Sequence, residues 1–158
     1  MNVKILTIGN IKESFLREGI KEFDKRLKPY ASIQEIELKE TLIKSDTPSN
    51  IQKALNDEGR RILDKLSPKD YVIVLDIKGK RYSSEEFSNI LEDLKISGYN
   101  DFAFIIGSSY GLSSEIKNRA NLKLSFSKMT FPHQLMKLIL FEQLYRWIKI
   151  AKHEPYHK

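Results

Sequence analysis

All three histidines of this chain, His133, His153 and His157, fall within its last 26 residues, together with Arg146 and Tyr156. Histidine changes charge near neutrality and is the most common general base, so this grouping suits removal of a proton from a polar substrate held by a cation and a phenol. Two other stretches belong with it. Gly107-Ser108-Ser109-Tyr110-Gly111 is a glycine loop. It lacks the G-x-G-x-x-G spacing of a dinucleotide site, and no Lys-Ser or Lys-Thr follows its second glycine as a P-loop requires. It is either a tight turn needing positive φ at Gly107 or Gly111, or a place where backbone approaches a ligand with no Cβ in the way. The second stretch, SFSKMTFPHQ (125–134), holds no glycine and no alternation, and ends in Pro132-His133 at the threshold of a long apolar segment. HEPYH (153–157) spells H-E-x-x-H, but that motif binds zinc only on a continuous helix, and Pro155 sits between the histidines; no metal is expected. With no cysteine in the chain, thiol nucleophiles and thiolate metal sites are excluded.

The elements that position these residues can be read from periodicity. VKILTI (3–8), YVIVLDI (71–77) and DFAFIIG (101–107) are continuous apolar runs and predict strands covered on both faces. IQEIEL (33–38) and KLSF (123–126) predict further strands. Helical spacing of apolar residues predicts helices over 13–27 and 51–66, and Ser83 with Glu86 forms a capping-box pattern that opens another, to about Ile96. A short helix over about 112–120 and a long one over 134–152 follow. Lys78-Gly79-Lys80 reads as a turn, and 44–50 as a loop. Strand–helix alternation of this kind predicts an α/β fold with a mainly parallel sheet and helices on both faces. In open sheets of that type ligands sit beyond the carboxyl ends of the strands, which brings the glycine loop and residues 75–80 to one place.

At 158 residues the chain makes one domain, 1–158. The start MNVKILTIGN has no basic run before an apolar core, and no window spans a membrane, so a cytoplasmic protein with no membrane partner is expected. The net charge of +6 and pI near 9.4 favour an anionic partner such as nucleic acid over a neutral one. The helix 134–152 is apolar on nearly every face, which calls for burial in the middle of one core or against a second subunit.

SFSKMTFPHQLMKLILFEQLYR (125–146) and the terminal EPYHK (154–158) resemble the ribosomal large-subunit RNA methyltransferases of the SPOUT superfamily that modify N3 of a pseudouridine. VKILTIGNIKE, EFDKRLKPY, LDIKGKRYSSEEF and DFAFIIGSSYGLS extend the resemblance over the whole chain. It implies a parallel α/β sheet whose C-terminal part is threaded into a trefoil knot, S-adenosylmethionine as cofactor, a homodimer, and ribosomal RNA, within the assembled ribosome, as partner. It places cofactor contacts on Leu75, Gly107, Phe126, Ser127, Lys128, Met129, Thr130 and Phe131. For the chemistry it points to His157 with Tyr156 for substrate contact and proton handling, Arg146 for base carbonyls or a phosphate, and His133 for support of the cofactor loop. Two positions depart from the family pattern: Ser108 and His153 stand where glycine is usual. A non-catalytic basic RNA-binding dimer of the same fold, or a methyltransferase acting on transfer RNA, are the alternatives.

Overall fold

In the computed structural model, which describes all of residues 1–158, the three continuous apolar runs lie side by side. β1 (Asn2–Ile8) and β2 (Ser32–Leu38), β3 (Tyr71–Lys80), β4 (Asp101–Ile106) and β5 (Leu122–Leu124) form one sheet in the order β2-β1-β4-β3-β5. Every pairing is parallel, as the alternation predicts. Helices α1 (Ser14–Leu27), α3 (Ser84–Ile96) and α5 (His133–Ala151) pack on Val3, Ile5, Ile73, Phe102 and Phe104 on one face. Helices α2 (Pro48–Leu63) and α4 (Ser114–Arg119) pack on Leu6, Ile8, Val72, Val74 and Ile105 on the other. Odd and even positions of each central strand thus feed different cores, so both sets are almost wholly apolar, with Lys4 and Thr7 of β1 as exceptions.

The local signals place most boundaries and miss some. Ser83 and Glu86 close a full capping box, with the Glu86 carboxylate accepting from the Ser83 N–H at 2.8 Å and the Ser83 hydroxyl accepting from the Glu86 N–H at 3.1 Å. α2 begins at Pro48 rather than Ile51, because Thr47 caps it through the Asn50 N–H at 3.2 Å and Pro48 occupies the first turn, where a missing N–H costs nothing. Lys78-Gly79-Lys80 is not a turn. β3 runs through it, and Leu124 pairs with both Leu75 and Lys80, so the strand bulges between them. Gly79 is required there by close approach: a Cβ would lie 2.6 Å from the Lys123 carbonyl oxygen.

α5 lies against both α1 and α3, and this accounts for most of its all-round apolarity within one chain. Leu140, Phe141, Leu144 and Trp147 are buried toward the sheet. Leu138 fills the space left by Gly19 of α1, where a Cβ would stand 2.9 Å from its Cδ1. Among the buried positions is a cation that the apolar pattern hides. Lys137 is 0% exposed, and its ammonium is paired with Glu35 at 2.7 Å and Glu37 at 2.9 Å, two carboxylates on β2 that still reach solvent. A second buried charge backs the glycine loop. Glu58 of α2 is 3% exposed; one oxygen accepts from the Thr41 N–H at 3.0 Å, and the other has no partner. Burial pushes its carboxyl above the ordinary range.

These two sites predict opposite mutational behaviour. Glu35→Gln with Glu37→Gln leaves Lys137 buried and unpaired, and is expected to cost about 3 kcal/mol or more in urea unfolding, whereas Lys137→Met, which leaves only water-accessible carboxylates, costs about 1 kcal/mol or less. For Glu58 the folded state binds the proton more tightly than the unfolded chain. Its contribution to stability is therefore full below the ordinary glutamate pKa of about 4.3 and is lost as pH rises through the elevated folded value. Glu58→Gln should raise the unfolding midpoint at pH 7, with the gain disappearing in scans near pH 4; a variant that is less stable at pH 7 would refute this.

Candidate active site

Beyond the carboxyl ends of β3, β4 and β5 opens a cleft of about 700 Å³. Leu75 and Lys78 from the end of β3, Gly107 to Gly111 after β4, and Ser125 to Thr130 after β5 form its walls, apart from Lys128, and Phe131, Pro132, His133 and Met136 close it. Of the residues expected at the cofactor, Leu75, Gly107, Phe126, Ser127, Met129, Thr130 and Phe131 all line it; Lys128 does not line it and is exposed. His133, the first residue of α5, lines it too, and its Nε2 lies 3.2 Å from the position a Cβ on Gly9 would take.

The two glycines of the loop serve different needs. Gly111 holds φ +92°, which favours glycine directly. Gly107 does not have positive φ; a Cβ there would run into the carbonyl of Gly111 and the side chain of Leu112. The loop folds back on itself, so Gly107 is needed first for its own closure. Ser108, where the family pattern has glycine, is buried, and its hydroxyl has no partner of good geometry although it lies beside the Glu58 carboxylate. Tyr110 anchors the loop's tip by donating to Asp46 at 2.6 Å. The segment after β5 is held by its serines: Ser125 donates to the Ser127 carbonyl at 2.9 Å, and Ser127 accepts from the Met129 N–H at 3.0 Å. No protein acceptor takes the backbone N–H of Phe126, Ser127, Lys128, Thr130 or Phe131. A loop with unpaired main-chain groups, set beside apolar Leu75, Phe126 and Phe131, fits a flat heteroaromatic ring with a hydrogen-bonding edge.

Arg146, Tyr156 and His157 form a second cluster, none of whose members lines the cleft. The terminal residues 155–158, too short for a core of their own, are docked rather than loose. The Arg146 guanidinium donates to His157 Nδ1 at 3.2 Å, lies 4.8 Å from the Tyr156 ring, and pairs with Glu142. Tyr156 donates to the same carboxylate at 3.0 Å, and burial beside it pushes the phenol up. A guanidinium can only donate, so Nδ1 is the accepting nitrogen and Nε2 carries the proton, which it gives to Glu85 of α3 at 2.6 Å. The ring is thereby fixed in one neutral tautomer with both nitrogens engaged. Glu142 is expected from its i,i+4 spacing to pair with Arg146, as it does; Glu85 and Lys137 were not singled out from the sequence. Glu85 is an ordinary first-turn carboxylate there, and only the return of the tail gives it His157 and gives Glu142 the Tyr156 phenol.

His153 stands apart, exposed at the end of α5 with φ +54°. It is the left-handed residue of a Schellman ending, in which its N–H reaches the Ile150 carbonyl and that of Glu154 reaches Lys149, both at 3.0 Å. That conformation explains why glycine is usual there in the family pattern. It also separates His153 from His157, since the helix has ended at Ala151, so the two rings do not share the helical face that H-E-x-x-H needs.

The comparisons with known proteins agree with this geometry. The family described as "Predicted SPOUT methyltransferase" matches residues 1–157. The chain is 50% identical to "Ribosomal RNA large subunit methyltransferase H" of Leuconostoc mesenteroides subsp. mesenteroides, with 100% of each chain covered. It is 49% identical to the protein of the same name from Carboxydothermus hydrogenoformans, again over 100% of both. Among solved structures, "a probable methylase family protein" from Haemophilus influenzae Rd KW20 superposes with a TM-score of 0.58 at 12% identity, over 99% of this chain and 70% of that one, and so shares the fold. On its full-length likeness to these relatives and to the family as a whole, the chain belongs to the SPOUT methyltransferase family.

Proposed function

We propose that this protein is an S-adenosylmethionine-dependent methyltransferase of the cytoplasm that methylates N3 of a pseudouridine in large-subunit ribosomal RNA, within the assembled ribosome. The observation that carries the reading is the cleft beyond β3, β4 and β5, with unpaired main-chain N–H groups between apolar walls, in a chain half identical to relatives named for that RNA. Leu75, Gly107 and residues 126–131 would hold the cofactor, Lys128 through its backbone. When bound, the cofactor supplies an already activated methyl group. What remains for the protein is to orient the base and to take the proton from N3.

Those tasks fall to the second cluster. His157 in its fixed tautomer offers Nδ1 as the acceptor once Arg146 gives up its contact and turns to a base carbonyl or phosphate. Glu85 then stabilises the charged ring through Nε2–H, as a carboxylate does for a general-base histidine. Tyr156 provides a ring face for the base, and His133 supports the cofactor loop. His133 and Arg146 are thirteen residues apart on α5, about 20 Å along a helix rising 1.5 Å per residue. The cluster therefore reaches a cofactor most readily in the cleft of a second copy, and a homodimer completes the site. Ile139 and Ile150 support this: unlike the other large apolar residues of α5, they are not packed against the chain's own core. Ile148, by contrast, faces that core, so it is a poor probe of an interface. The C-terminal segment, passing from the sheet edge at β5 back beneath β4 as α5, is the part that would carry the trefoil knot.

Calorimetry should show S-adenosylmethionine binding, which a non-catalytic RNA-binding dimer would lack. Ribosomes from a strain without the endogenous enzyme should gain one methyl group at N3 of a large-subunit pseudouridine, by mass mapping; a product on transfer RNA alone would overturn the substrate assignment. Deleting residues 155–158 should leave folding and cofactor binding nearly intact while methyl transfer collapses, and His157→Ala should lower the turnover rate by roughly 10²–10⁴-fold. A deletion variant with wild-type turnover would move proton transfer to His133. Light scattering should report a dimer at micromolar concentration, weakened by Ile139→Asp; a wild-type species of only 18.4 kDa would remove the second copy from the mechanism.

A further inference from the structure

Seven of the thirteen lysines and arginines on the helices are paired with an acid, among them Arg26 with Glu22, Arg61 with Asp57, Lys95 with Glu92 and Lys149 with Glu154. Those around the mouth of the cleft are not. Lys78, Lys80, Arg81, Lys123 and Lys128 are all exposed, and none has an acidic partner among the ion pairs of the chain. Residues 75–81, 106–111 and 122–133 contain these five cations and one carboxylate, Asp76, so 25 of 158 residues hold four of the six net positive charges. Asp76 is itself engaged by Lys117 at 3.1 Å. The next acids along the chain, Glu85 and Glu86, are taken up by His157 and by the helix cap.

The fold brings the five together. Lys78 and Lys80 flank Gly79 at the bulged end of β3. Gly79 between them abuts the Lys123 carbonyl, and the Ser125 N–H reaches the Lys80 carbonyl at 2.9 Å, so the end of β3 and the edge strand β5 are locked side by side. Lys128 follows on the loop whose neighbours Ser127 and Met129 line the cleft. Within the strip stand exposed apolar groups: Met129 at 74%, Ile77 at 49% and, across the cleft, Tyr110 at 41%. Unpaired cations repel one another and lower stability unless an anion is to meet them. Cations interleaved with exposed apolar and aromatic side chains match a polyanion whose bases are unstacked.

We propose that Lys78, Lys80, Arg81, Lys123 and Lys128 form the phosphate-contact surface that seats the ribosomal RNA backbone across the cleft mouth. The assignment rests on the methyltransferase reading above and adds to it a surface for docking, separate from the residues that act on the base. Phosphate contacts of this kind set register and orientation, and their signature is the release of counterions.

The test uses the full-length protein with two probes: purified large ribosomal subunits and a labelled single-stranded oligouridylate of about 20 nucleotides, with affinity followed between about 50 and 200 mM salt. The triple variant Lys80→Gln, Arg81→Gln, Lys123→Gln, at cations that do not line the cleft, should reduce the slope of log affinity against log salt by about 2, given roughly 0.7–0.9 per phosphate contact. A triple of equal charge from elsewhere on the surface, Lys28→Gln, Lys65→Gln, Lys69→Gln, should leave the slope nearly unchanged. S-adenosylmethionine binding by calorimetry should be the same in all three proteins, which shows that the variants are folded. If the rim triple keeps the wild-type slope, or if both triples lose it equally, the strip is not the docking surface. If the wild-type protein neither methylates the subunits nor binds the cofactor, it is the functional reading that fails instead. Loss of binding to anionic vesicles with the RNA slope preserved would assign the strip to a membrane surface and overturn the proposal.

Discussion

The packing of Trp147 is the contact on which the rest of the site depends. Its ring lies 4.5 Å from Phe87 of α3, 6.1 Å and nearly parallel to Phe104 of β4, and 6.3 Å from Phe126 of the loop after β5. Its carbonyl accepts from the buried Ser88 hydroxyl at 2.7 Å. One side chain therefore fixes α5 to the sheet, to a flanking helix and to the wall of the cleft. A buried tryptophan in such a place is worth several kcal/mol, about 3–5 if truncated to alanine. Because α5 carries His133 at its first turn and Arg146 beside Trp147, anchoring it in this way also fixes the separation between the cofactor cleft and the proton-handling cluster.

The strands were legible in the sequence because burial on both faces leaves little choice of residue. VKILTI, YVIVLDI and DFAFII cannot be amphipathic if they are to fill two cores, and they are not. The capping box at Ser83 was legible for a similar reason, since its two hydrogen bonds are local. Gly79 was misread because a glycine between two lysines looks the same whether it makes a turn or lets another strand's carbonyl come close. Its cause lies at Lys123, forty-four positions away. The same limit applies to α5. Its apolar residues were visible, but that α1 and α3 would cover its flanks depends on the strand order, which periodicity does not specify.

The functional residues divide along the same line. Those of the cleft lie in short contiguous stretches, 107–111 and 125–133, and were found from motif and resemblance together. The carboxylates that organise the second cluster were legible only in part. Glu142 looks like half of an i,i+4 ion pair with Arg146, and in part it is one, but it also receives the Tyr156 phenol. Glu85 looks like a helix-start acid, and it is one, but it also receives the imidazole proton of His157. Hydrogen bonds to its own helix and to that ring hold its carboxyl low, at about 2, so it stays an anion across the range in which a histidine base would act.

Lys137 shows how the fold reconciles a charge with the most apolar stretch of the chain. An ammonium with 0% exposure would be untenable without partners, since removing a charge from water costs more than any single packing contact returns. Here Glu35 and Glu37 reach it from β2, the edge strand, where their own carboxylates remain partly hydrated. The lysine is desolvated, but its counter-charges are not, so the arrangement avoids most of the cost of a fully buried pair. It also has direction. An edge strand presents one unpaired side to solvent and to stray pairing, and β2 is held in register against α5 by two charges spaced two residues apart on the face that meets the helix. Placed one turn beyond His133, Lys137 fixes the start of α5 relative to the sheet, just as Trp147 fixes its far end. Between them the helix has no freedom to slide, and the distance between the cleft and the tail cluster becomes a property of the fold.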